Sequence, residues 1–142
     1  MDMLDLARHI VAVANDNNVP ITNVKLQGVL YFSLKDALLS GTLNEPQFEQ
    51  IYDMPFEVWQ YGAVVRPVFE HYSRNGATPI IKNYVRNPTY QNLDKFIVKY
   101  LSVDSFALVH RARAEKFWLD NKQYIAGWRS LVPYTMSDII SD

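Results

Sequence analysis

The 142-residue chain has no cysteine, which excludes a disulfide framework, a thiol nucleophile and every cysteine-ligated zinc or iron–sulfur site. That composition fits a reducing compartment. Glycine is sparse, and Gly-x-x-x-x-Gly-Lys, Gly-x-Gly-x-x-Gly, His-Glu-x-x-His and Gly-x-Ser-x-Gly are all missing. No apolar run approaches the length of a bilayer span, and Met1-Asp2-Met3-Leu4-Asp5 puts acid where a secretory leader needs base. A cytoplasmic protein without a membrane segment is expected. A charge excess is lacking too: 14 Lys and Arg against 15 Asp and Glu leave a net charge of −1, unlike a general nucleic-acid binder.

Aromatic residues are plentiful. Nine Tyr, seven Phe and three Trp supply large apolar area, enough for a core without metal or disulfide staples. The length suits one domain, residues 1–142.

Periodicity assigns most of the chain to helices. Met3, Leu4, Ala7, Ile10, Val11 and Ala14 make an apolar stripe over 2–15, and Asn15-Asp16-Asn17-Asn18 with Pro20 breaks it. Thr22 caps a second helix to about Ser40, with Gly41 just past its end and Leu26, Val29, Leu30, Ala37 and Leu38 as its stripe. Gly28 inside it implies close packing against another element. Periodicity vanishes over 42–55, a connection with room for a short strand or turn. Phe56 to Tyr61 alternates like a half-buried strand ended by Gly62. Val64, Val65, Val68, Phe69 and Tyr72 return to helical spacing, with a start near Val65 or Arg66 so that Pro67 falls in the first turn. A second short strand is expected over 80–85, then helices from about Leu93 and Asp104, and a last one opened by the Thr135/Asp138 box. The expected class is mainly α, a compact helical domain with one or two short strands near 56–61 and 80–85.

Catalytic chemistry is not evident. His9, His71 and His110 stand far apart without ligand spacing, so no metal and no cofactor is expected. Glu45 and Glu49 read as solvated surface, and the chain is not expected to be an enzyme. Arg111, Arg113 and Lys116, with Arg129 later, make only a thin basic cluster. Trp59, Tyr61, Phe69 and Tyr72 read first as core, with the edge around Trp59 as a partner-contact candidate.

Two stretches carry a resemblance. Val24-Lys25-Leu26-Gln27-Gly28-Val29-Leu30-Tyr31-Phe32 and Val58-Trp59-Gln60-Tyr61-Gly62-Ala63-Val64-Val65-Arg66-Pro67-Val68-Phe69 resemble, in order and separation, the two signatures of the Panacea domain family of SocA-like, phage-associated antitoxins. There are departures. Ala63 stands where that family usually has Pro, Pro67 is displaced by one position, and Gly28 replaces a usual Lys. Near the C-terminus only Trp118 of the family's Thr-His and Pro-Trp pattern survives, and His110 does not align. The resemblance implies an antitoxin-like or adaptor protein of a phage or mobile element. Its partner would be a toxin encoded nearby, neutralised directly or delivered to a protease complex. Lys25, Gln27, Tyr31, Trp59, Tyr61 and Arg66 are the partner-binding candidates it brings forward. A homodimer is compatible with the sequence, although no heptad seam requires one. The alternative is a phage or prophage DNA-binding transcription regulator built on the first two helices, although their connection is long for a helix-turn-helix. A small hydrolase with dispersed residues ranks below both.

Overall fold

The computed structural model describes residues 1–141. Eight α-helices and a small three-stranded antiparallel sheet are found among them, so the chain is mainly α with a small β element. Helix α1 (Met3–Asp16) is capped by Asp2, whose carboxylate accepts from the Asp5 N–H. Helix α2 (Asn23–Leu39) starts at Thr22, whose hydroxyl accepts from the Lys25 N–H, and Gly41 turns at φ 77° just past its end. Both helices lie within a residue or two of their expected bounds. Their burial differs from expectation in one respect. α2 presents no single stripe: Leu26, Gln27, Val29, the whole of 30–35 and Ala37 are buried, as in a helix packed on every side.

The 42–55 connection holds a helix, α3 (Glu45–Ile51), rather than a strand or turn. Asn44 and Gln47 form a capping box and Pro46 sits in the first turn. With only Phe48 and Ile51 buried, the helix is too short to show a period.

Strands β1 (Phe56–Trp59) and β2 (Gly62–Val65) form a hairpin across Gln60–Tyr61, pairing Phe56 with Val65 and Trp59 with Gly62. Gly62 therefore opens a second strand instead of leading into a helix, and Val64 and Val65 are strand residues. Helix α4 (Arg66–His71) follows directly, with Pro67 in its first turn as expected. The third strand, β3 (Arg129–Pro133), pairs with β1 in the order β2-β1-β3, irregularly between Trp59 and Glu57.

Residues 80–85 are not a strand. The Asn15 side chain takes the place of a neighbouring strand there, donating to the Ile80 carbonyl (3.0 Å) and accepting from the Lys82 N–H (3.0 Å). The Ile80 N–H also donates to the Ile21 carbonyl (2.8 Å), so the segment is pinned to the α1–α2 turn. Its alternation of Ile80 in and Ile81 out comes from that attachment.

Helices α5 (Asp94–Leu101), α6 (Ser105–Arg113, capped by Asp104), α7 (Lys116–Asn121) and α8 (Met136–Ile140) complete the fold. Thr135 and Asp138 form the expected capping box of α8. One apolar cluster runs from Met3 to Ile139, around α2, which packs on α1, α5, α6, α8 and β2.

Two glycines mark close approaches. A Cβ on Gly28 would lie 3.0 Å from Leu108 of α6, the tight packing its position implied. Gly62 combines φ +101° with an Ala112 methyl that an added Cβ would meet at 2.6 Å, whereas Gly41 has open space around it. Gly62→Ala is expected to cost about 2–4 kcal/mol from backbone strain plus overpacking. Gly41→Ala should cost about 1–2 kcal/mol from the left-handed backbone alone. Urea unfolding midpoints measure both, and equal losses would contradict the Gly62–Ala112 contact.

Candidate partner-binding surface

The six candidate residues divide into an internal set and a surface set. Gln27 is 1% exposed and bonded on both sides. Its Oε1 accepts from the Val65 N–H (3.0 Å) and its Nε2 donates to Asn23 Oδ1 (3.3 Å), while Asn23 donates to the Phe69 carbonyl (2.8 Å). Tyr31, also 1% exposed, donates its hydroxyl to the Glu115 carboxylate, which accepts from Lys35 Nζ at 2.5 Å as well. Burial first, then the Glu115 charge and hydrogen bond, push the Tyr31 hydroxyl far above the ordinary tyrosine range. Lys25 donates to the Leu101 carbonyl (2.7 Å), satisfying the end of α5; burial lowers its pKa and Asp104 partly offsets this. Trp59 is 0% exposed. Gln27, Tyr31 and Trp59 therefore offer a partner no surface, and the expectation that they contact one is corrected: their polar atoms and rings hold the fold together.

Tyr61 and Arg66 do reach the surface, on the outer face of the sheet. Side chains alternate along β1 and β2, so Phe56, Val58, Ala63 and Val65 join the main core, while Trp59 and Val64 stand outside that cluster. Trp59 is covered by aromatic rings, one from α4 and one from the approach to β3. It meets Phe69 edge-on at 5.2 Å and Trp128 edge-on at 5.0 Å between centroids. Tyr61 stacks on Phe69 at 5.8 Å and 22°, and Phe69 and Trp128 are 5.9 Å apart. The Arg129 guanidinium lies over the Trp128 ring at 5.5 Å. Beneath them the Trp59 indole N–H donates to Glu57 Oε1 (3.1 Å), and Arg66 Nε lies 3.4 Å from the same oxygen.

Tyr61 is 38% exposed and Trp128 43%, so the cluster forms part of the surface. Beside it runs an open groove of about 710 Å³ lined by Arg66, Tyr124, Arg129, Leu131, Val132 and Pro133. Leu131 and Tyr124 are 74% and 60% exposed. Sequence reasoning placed Arg129 in a thin basic cluster and brought neither Trp128 nor Tyr124 forward as a partner contact. Nothing local in sequence joins them to Trp59, since the β1–β3 pairing brings them together. Tyr72, grouped with these aromatics by spacing, belongs to the core and shares a hydroxyl contact with Tyr84 (3.2 Å).

Two other features singled out by sequence, His9 and Arg113, have internal partners. His9 is buried, with Nδ1 accepting from the Asn87 N–H (2.9 Å) and Nε2 bonded to Asp94 (2.6 Å). Arg113 lies over Trp118 at 4.8 Å. Among the described residues, no group of three or more His, Asp or Glu side chains is placed to hold a metal ion, and no helix is long and apolar enough to cross a membrane. Compared with protein-family models, curated proteins and solved structures, the chain matches none.

Two outcomes follow from the buried polar groups. Glu115→Ala leaves the Lys35 ammonium, 8% exposed, without its carboxylate and is expected to cost about 3–5 kcal/mol in denaturant unfolding. The Lys35→Met/Glu115→Leu double substitution should cost distinctly less, because no charge is stranded. Burial also raises the hydroxyls of Tyr31, Tyr52 and Tyr134 above the ordinary value of 10.0. The unfolded chain releases these protons first, so stability should be full below that value and fall as pH rises beyond it. Unfolding midpoints across alkaline pH test this, and a flat profile would contradict it.

Proposed function

We propose that the chain is an antitoxin-like or adaptor protein of a phage or mobile element that binds and neutralises a partner toxin encoded nearby. The observation that carries a binding role is the half-exposed cluster of Tyr61, Phe69, Trp128 and Arg129 on the outer sheet face. Tyr, Trp and Arg are the residue types that dominate interface hot spots, and here they are held rigid by stacking on one another. The resemblance of the 24–32 and 58–69 stretches to the Panacea signatures supports the antitoxin class. The DNA-binding alternative gains no support from the helices, since α2, the would-be recognition helix, is packed on every side.

The test is co-expression with the protein encoded beside it. The neighbour alone should halt growth, and this chain should restore growth and co-elute with it. Trp128→Ala should weaken that complex by about 2 kcal/mol, roughly 30-fold in Kd, while leaving cooperative unfolding in place. A harmless neighbour that forms no complex would defeat the toxin reading.

A further inference from the structure

We propose that the groove along β3 seats an acidic, hydrophobic peptide segment of the partner protein. Its carboxylates would be held by the Arg66 and Arg129 guanidinia, and its apolar side chain would lie against Leu131 and Tyr124. The inference rests on the binding role above and names the chemistry of what is bound. Charge is its main support: both arginines line the groove and no Asp or Glu does. Among the described residues, Arg129 has no carboxylate within 4 Å, its contacts being the faces of Trp59 and Trp128. Stacking on a ring leaves the edge of a guanidinium open for two parallel N–H bonds to one carboxylate. Arg66 has Glu57 nearby, but its buried Nε lacks an acceptor in hydrogen-bond geometry, and the Glu57 oxygen already accepts from the Trp59 indole.

Apolar surface adjoins the charge. Leu131 and Tyr124 are among the most exposed large side chains of the protein, and Pro133 ends the same strand. A water-facing leucine beside two arginines, one of them without a carboxylate among the described residues, matches a segment that alternates acid with aliphatic or aromatic residues. Recognition would run through side chains and not through an added strand. Although β3 is a sheet edge, it is five residues long, irregular in register and ended by a proline without an N–H. A nucleic-acid track is the poorer fit, because phosphate binding needs a longer cationic stripe and the chain carries a net −1.

The experiment titrates the full chain into three labelled probes. One is a peptide of about a dozen residues alternating Glu with Leu and Phe, one has Lys in place of Glu, and one is an oligothymidylate; anisotropy and Trp128 fluorescence are the readouts. The acidic peptide should bind in a salt-sensitive way, and Arg129→Glu, an exposed position, should weaken it about tenfold or more with cooperative unfolding retained. Arg66→Glu should act in the same direction. Equal binding of the lysine peptide, tighter binding of the oligonucleotide, no binding of the acidic peptide, or indifference to Arg129→Glu would each overturn the proposal. The neighbour's complex separates the two readings. If it forms equally with wild type and Arg129→Glu, the groove proposal falls and the partner reading stands. If no neighbour binds but the acidic peptide does so through Arg129, the groove proposal stands and the toxin reading falls.

Discussion

Asn23, Gln27, Tyr31 and Lys35 stand four residues apart along α2, on one ridge of a helix that is buried all round, and each must find a hydrogen-bond partner inside the protein. Asn23 reaches the backbone of α4, Gln27 the edge of β2, and Tyr31 and Lys35 converge on Glu115 at the start of α7. An orphaned group at any rung would carry a desolvation penalty of about 1–3 kcal/mol, more for the lysine. The row therefore fixes both the rotation of α2 and the placement of three elements distant in sequence. Apolar contacts alone would tolerate a small slide of α2; this row does not.

The same row gives physical content to the two stretches that carry the family resemblance. Gln27 belongs to the first and Val65 to the second, and one hydrogen bond joins them. It falls where β2 has no strand neighbour, so the glutamine amide stands in for one. Asn15 serves the 80–82 segment likewise. In both places a side-chain amide supplies the ladder partner that a small sheet cannot provide. Residues placed among partner contacts on motif grounds are in fact holding secondary structure together.

That distinction governs what could be read from the sequence. Helix α1 was legible through its apolar stripe, and helices α2 and α8 through the caps at Thr22 and Thr135, local signals that tertiary structure did not override. Helix α3 carries an equally local signal in Asn44, Pro46 and Gln47, but seven residues with two buried side chains leave no period to find. The strand expected over 80–85 failed for a different reason. Alternation reports which side chains are buried, and an extended segment pinned by one asparagine alternates as well as a paired strand does. The β2 strand was hidden because Val64 and Val65 continue into Val68 and Phe69 at helical spacing, and Gly62 reads as an end where φ +101° makes it a beginning. The surface site was half legible. Tyr61 and Arg66 lie in the motif, but Trp128, Arg129 and Leu131 join them only through β1–β3 pairing, which no local pattern encodes.

The outer face of the sheet connects the fold to the binding role. Strand β1 is buried on both sides, yet its two coverings differ in kind. Inward, Phe56 and Val58 sit in the main core. Outward, the rings of Phe69 and Trp128 and the stacked Arg129 lie against Trp59. Such a layer of rings leaves Tyr61 and Trp128 partly in water, which costs hydrophobic free energy that a further layer would recover. A docking partner of the kind proposed would supply that layer. Because Trp59 already fixes the positions of the rings, little side-chain freedom remains to be lost on association. In the proposed function the buried tryptophan would contribute to binding without touching the partner, by making rigid the exposed Tyr61, Trp128 and Arg129 above it.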